Sequence, residues 1–148
     1  MAIVTGGRLP DEVMTRLQAG RAAMEGTAVP ICTVDAEGFP HPAMLSYGEL
    51  AADAPDAIRA AVYGSSTTAR NLRTRQLLTL LFVDAGVTCY VKARVTGDET
   101  PHPSVTGVVV FPCVVESVLV DRVDTSREPA AVIETGITFR RASPGTTL

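Results

Sequence analysis

The stretch AAVYGSSTTARNLRTRQLLTLLF, Ala60 to Phe82, decides how this chain is read. It opens as a short apolar strand, Ala60 to Tyr63, and breaks into a polar turn, Gly64-Ser65-Ser66-Thr67-Thr68. A helical segment follows from Ala69 to about Arg75 and carries Arg70, Arg73 and Arg75; a second strand, Leu77 to Val83, is apolar throughout. A strand, a hydroxyl-rich turn and a helix start form an arrangement that can bind a phosphate. The unpaired N–H groups of a first helical turn point outward, and the helix dipole favours an anion there. The same residues suit a plain helix N-cap, for which Ser and Thr are preferred.

Working outward, Ile58 to Tyr63 reads as the third strand of the chain. Ahead of it lie a strand from Val29 to Asp35, a hairpin loop at Asp35-Ala36-Glu37-Gly38, a return strand from Met44 to Leu50, and a turn at Ala51 to Asp56. Pro40 and Pro42 bracket His41; neither proline can donate to a ladder, which marks an edge or a strand entry. At the N-terminus, Pro10 precedes Asp11 and Glu12, and Val13, Leu17 and Met24 recur at helical spacing, predicting an amphipathic helix that ends by Gly26. After Phe82, Val87 to Thr96 alternates strictly between apolar and polar residues, the pattern of a strand with one buried face. Gly97 to Ser104 reads as a loop, and Val105 to Val123 as two strands or one bulged strand around Pro112. Thr125 to Pro129 is expected as a loop, Ile137 to Arg140 as a possible last strand, and residues 1–8 and 143–148 as frayed ends. Six or more mainly antiparallel strands with two helices predict one domain over residues 1–148, a mostly β barrel with some α.

Composition narrows the function. The chain has 148 residues, 46% of them apolar, and a formal net charge of −3. That is enough apolar chain for one core, with no basic stripe for nucleic acid. No apolar run is long enough for a membrane helix and no secretory leader is visible, so a cytoplasmic protein is expected. Cys32, Cys89 and Cys113 each sit in an apolar strand and are expected as free thiols, with no metal-ligand spacing among them. His41 and His102 are the only imidazoles, and neither has a hydrolase motif around it. No glycine-rich nucleotide loop is present either. This scarcity of catalytic side chains suits a protein whose chemistry is carried by a cofactor.

Two places carry a family resemblance. One is TVDAEGFPHPAMLSYGEL, Thr33 to Leu50, with its Gly-x-Pro turn; the other is the opening stretch, with Ser66 and the helical Asn71-Leu72 step. In their order and spacing these resemble the FMN-binding split-barrel family around pyridoxamine 5'-phosphate oxidase. The likeness runs from about Leu9 to Val95, with a looser echo in Val115 to Arg140. It implies a split β-barrel with an N-terminal helix and a short helix after the third strand. It also implies a homodimer holding FMN at its interface, and oxidoreductase chemistry on a small molecule. Cofactor contacts are implied at Ala43, Met44, Leu45, Ser46 and Tyr47 for the ring, and at Ser65, Ser66, Thr67 and Thr68 for the phosphate and ribityl chain. Arg70 and Asn71 are further candidates, and His41 is a candidate for substrate.

The family's basic pair after the serine is replaced here by Thr67-Thr68, and Arg70 can supply some of the missing charge. Arg73 and Arg75 read as an exposed helix face, Lys92 and Arg94 as a solvated strand face, and Tyr63 as core. The C-terminal Arg and His with which pyridoxal-phosphate-producing members hold substrate are missing. Two alternatives stay open: a split-barrel binding or dimerisation module that has lost FMN, and a reductase using the deazaflavin F420.

Overall fold

A computed structural model describes residues 2–4, 6–19, 26–121, 126 and 132–140. Met24, Thr125 and residues 127–129 of the expected loop, and Ser143–Leu148 lie outside the described residues. The elements run β1 (Ala2–Val4), α1 (Asp11–Gln18), β2 (Ala28–Val34), β3 (Pro40–Ser46), β4 (Leu50–Ala54), β5 (Ala57–Tyr63), α2 (Thr67–Arg75), β6 (Leu77–Asp84), β7 (Val87–Val95), β8 (Thr100–Pro101) and β9 (Val108–Asp121). A 3-10 turn at Tyr47–Glu49 joins β3 to β4.

All strand pairs are antiparallel, in the order β3-β2-β6-β7-β9-β5-β4, with β1 and β8 also on β9. The sheet curls on itself as the expected split barrel. Its two end strands, β3 and β4, are consecutive in sequence. The barrel is therefore bridged there by the covalent turn at Tyr47–Glu49, and the split opens between them.

The inner face is the apolar half of each alternation: Val29 and Ile31 of β2, Leu80 and Phe82 of β6, Val91 of β7 and Ile58 of β5 are all buried. β9 is the longest strand, and a regular strand of 14 residues could not wrap the barrel unaided. Lys92 faces Ser117 while its neighbour Ala93 faces Val115, so Glu116 is an extra residue. This bulge bends the strand and shifts its buried set from Phe111, Cys113 and Val115 to Val118 and Val120. The Val-rich run is thus one bulged strand.

Several boundaries differ from expectation. The return strand stops at Ser46, and Ala51–Ala54, expected as a turn, belongs to β4, with Pro55 and Asp56 making the turn. Its alanines carry no strand signal; pairing with β5 and the ion pair from Arg59 to Asp53 hold them extended. Thr100–Pro101 adds a short strand inside the expected loop, and Ala2–Val4, expected to fray, pairs with β9. Thr138 forms a single bridge to Thr27 in place of a last strand. α1 is short: Pro10 is its N-cap, Asp11 and Glu12 sit in its first turn, and Val13 and Leu17 are buried. Arg16 anchors the helix to the β6–β7 turn, donating to the Ala85 carbonyl at 3.0 Å beside Asp84.

Candidate functional site

α2 is built from the opening stretch much as its residue types dictate. Ser66 is the N-cap: its Oγ accepts from the Ala69 N–H at 3.1 Å and donates to the Tyr63 carbonyl at 2.6 Å. The left-handed Gln76 closes the other end, its N–H donating to the Leu72 carbonyl at 3.1 Å. Thr68, Ala69, Asn71 and Leu72 are buried beneath the helix. Asn71 Nδ2 donates to Thr33 Oγ1 at 3.0 Å, fastening α2 to β2. The Asn71 side chain is therefore committed to an internal bond, as is the Ser66 hydroxyl.

What stays available lies at the helix start. Among the described residues, the Thr67 and Thr68 N–H groups have no acceptor, and the exposed Arg70 guanidinium has no partner. Ser65 and Thr67 are exposed there too. Helical side chains lean toward the N-terminus, which directs Arg70 at the same opening. Arg73 and Arg75, expected on a solvated face, are instead staples. Arg73 forms a two-pronged pair with Glu99 and donates from Nη1 to the Gly64 carbonyl at 2.8 Å. The hydrogen bond from Arg73 holds the Glu99 carboxyl below its usual value. Arg75 donates from Nε to the Asp35 carbonyl at 3.1 Å, holding the β2–β3 hairpin.

Beside this opening, at the split, is a cleft of about 450 Å³ including its mouth. Ser46, Gly48 and Glu49 form one wall, Ala61 to Tyr63 the second, and His102, Val105 and Val108 the third. The cleft and the helix start meet at Tyr63, whose chain runs straight on into Gly64 and Ser65. Ser46 Oγ donates to Glu49 Oε1 at 3.2 Å across the 3-10 turn. Tyr63 is 51% exposed, where core was expected. The reason is parity: Ile58, Ala60 and Val62 take the inner face of β5, which leaves Tyr63 outside. Tyr47 takes the core position instead, with its ring 5.8 Å from that of Phe82, and burial pushes its hydroxyl up to about 12.

The remaining candidates lie along β3, an end strand of the sheet. Leu45 is buried in the core, while Met44 is 60% exposed. The β2–β3 register pairs Pro42 with Cys32, Pro40 with Val34, and Met44 with Pro30. A proline cannot share a mutually bonded pair, so these are the positions whose main-chain groups face away from the partner strand. Met44 thus supplies an outward N–H and C=O on the free edge of β3. His41 lies five residues from Ser46, roughly 16 Å along the strand, and does not line the cleft. Lys92 lines a separate groove with Cys32, Leu77 and Glu116, and Arg94 is paired with Glu116. Glu49 and His102, which the sequence offered only as a solvated carboxylate and an imidazole without a motif, line the cleft. The Pro101-His102-Pro103 run, a repeat of the pattern at Pro40-His41-Pro42, was the one available signal.

Among the described residues no cluster of His, Cys, Asp or Glu could hold a metal, and no helix is long and apolar enough to cross a membrane. No protein-family model and no curated protein sequence matches the chain. Solved structures do. The chain is similar to a pyridoxamine 5'-phosphate oxidase-like protein from Lactobacillus delbrueckii (TM-score 0.59, 16% identity, 75% of this chain and 93% of that one). It is similar also to an FMN-binding protein from Syntrophomonas wolfei (TM-score 0.57, 14% identity, 76% and 88%). The chain has the fold of the pyridoxamine-phosphate-oxidase-like split barrels. A split barrel named as an F420 reductase matches as well, with TM-score 0.51, 14% identity, and 66% and 94% of the two chains covered. At these identities the likeness is one of fold. In this split barrel the predicted phosphate segment and one end of the predicted ring segment, Ser46, come together around Tyr63.

Proposed function

We propose that this chain is a homodimeric flavin-type oxidoreductase acting on a small molecule, with FMN as the cofactor. One arrangement carries the reading: among the described residues the Thr67 and Thr68 amides have no acceptor and Arg70 has no partner, at a helix start joined through Tyr63 to a cleft at the barrel's split. Such a group fits a phosphate monoester. Backbone N–H donors and the helix dipole favour the anion, and a guanidinium can grip it by two parallel hydrogen bonds. Thr67, Thr68, Ser65 and Arg70 would hold the phosphate. The outward main-chain groups of β3 would take the ring, which leaves the cleft between Ser46 and Tyr63 for the substrate. A bound flavin supplies the two-electron chemistry, and the chain orients it and keeps out water. The exposed Phe39 and Met44 flank the free β3 edge and support a second subunit there.

Two features favour alternatives. Thr67-Thr68 contribute no charge and Ser66 is spent as a cap, so Arg70 is the one unpaired cation among the described residues at this opening. That favours a module without FMN. The likeness to an F420 reductase favours a deazaflavin, whose phosphate would suit the same donors. Fluorescence titration of the purified protein with FMN, and separately with F420, tests all three. The expected result is saturable FMN binding, weakened about tenfold or more by Arg70→Ala, the loss that follows removal of a charge-assisted hydrogen bond. Binding of F420 alone moves the assignment to the deazaflavin; binding of neither sinks the enzyme reading.

A further inference from the structure

His102 is held in one tautomer by its own loop. The Ser104 N–H donates to its Nδ1 at 3.0 Å and the Val105 N–H at 3.1 Å. Both partners can only donate, so Nδ1 carries the lone pair and the ring proton sits on Nε2. The residue itself is pinned, its own N–H donating to the Val108 carbonyl at 2.9 Å, with Pro101 and Pro103 on either side. Nε2 lies on the ring's far side from the loop. No acceptor among the described residues engages it, and His102 lines both the cleft and the shallower hollow beside it. A fixed N–H donor therefore belongs to a cleft whose other walls are Ser46, Gly48 and Glu49 on the 3-10 turn, Ala61 to Tyr63, and Val105 with Val108.

We propose that His102 Nε2–H is the cleft's directed donor for a carbonyl oxygen on a small, neutral, planar molecule. The donor needs an acceptor oxygen. Val62, Val105, Val108 and the Tyr63 ring offer one apolar side to a flat body, and Ser46 and Glu49 give the cleft a polar side. Glu49, which also lines the cleft, disfavours a carboxylate. The inference rests on the cleft being the ligand site of the proposed function and names the substrate class it accepts.

Acetophenone serves as the probe, and ethylbenzene, of the same shape without the oxygen, as its control. Binding is followed by amide chemical-shift titration of the full chain. His102→Asn keeps an acceptor near Nδ1 for the two loop amides and removes the Nε2 donor. His102→Gln places an N–H near Nε2 and gives up the acceptor. The proposal expects acetophenone to bind more tightly than ethylbenzene to the native chain, and to lose three- to tenfold, about one hydrogen bond, in His102→Asn. His102→Gln is expected to recover most of that loss, and ethylbenzene to be indifferent to both. Unshifted Ser104 and Val105 amides in His102→Asn show the loop intact. The proposal is overturned if His102→Asn binds acetophenone like the native chain, or if acetophenone binds no better than ethylbenzene. FMN titration of the same samples keeps the readings apart. FMN binding without carbonyl preference removes only this inference, and carbonyl preference without FMN binding removes only the flavin.

Discussion

Three buried ionisable side chains give this protein an alkaline limit. Burial pushes the Tyr47 hydroxyl from 10.0 up to about 12, and the Cys89 and Cys113 thiols from 9.0 up to about 12. Each group is harder to ionise folded than unfolded. Its contribution is fully present below the unfolded value and is lost as pH rises toward the folded one. Between pH 9 and 12 stability should fall by about 1.4 kcal/mol per pH unit for each group titrating only in the unfolded chain. Urea unfolding midpoints measured from pH 8 to 12 check this, and Tyr47→Phe should flatten the part above pH 10. The two cysteines were legible in sequence as buried thiols because each lies on the apolar side of its strand. The two tyrosines were not, because their exchange of places follows from where β3 ends and from the inward parity of β5.

At the scale of elements, α2 bears out the cap reading of its motif: Ser66 is bonded on both sides, while among the described residues the Thr67 and Thr68 amides have no acceptor. Ser66→Ala should destabilise the fold by about 1 kcal/mol, the usual worth of an N-cap hydroxyl, in urea denaturation. Any effect on FMN would come through the frame it holds. Residues 132–140 are bonded to residues 26–28 and come closest to β6 at Gly136. A Cβ at Gly136 would collide with the Val83 carbonyl, so this segment reaches β6 only because the residue has no side chain. Gly136→Ala should release it. Faster hydrogen exchange at the Ala28 amide, bonded to the Ile137 carbonyl at 2.8 Å, reports that release. The helix start was legible because capping is local chemistry. Gly136 was not, because the atom it must avoid is more than fifty residues away in the chain.

For the molecule as a whole, the outer edge of β3, which no described strand pairs, is where a partner can dock. Phe39 at one end of β3 is 68% exposed and Met44 near the other 60%, and the outward groups at Pro40 and Pro42 are carbonyls without amides. Such an edge resists indiscriminate strand addition, while its apolar side chains favour a specific partner. Under the dimer reading, sedimentation of the native chain gives twice the monomer mass. Met44→Asp should then shift it to monomer and weaken FMN binding together, since a site shared between subunits fails when they part. A native chain that sediments as a monomer would remove the shared site.

The amino-acid sequence alone determined the β-rich fold, the alternation of β7, and the helix after β5 with its serine cap. All of these are local: a periodicity, a turn or a cap is written in neighbouring residues. Only the tertiary structure decided that Glu116 bends β9, that Arg73 and Arg75 fasten loops, that Tyr63 faces outward, and that His102 joins Ser46 at the split. Each of those depends on closing a sheet whose end strands are adjacent in the chain. That closure fixes parity and proximity between residues that no short window of sequence contains.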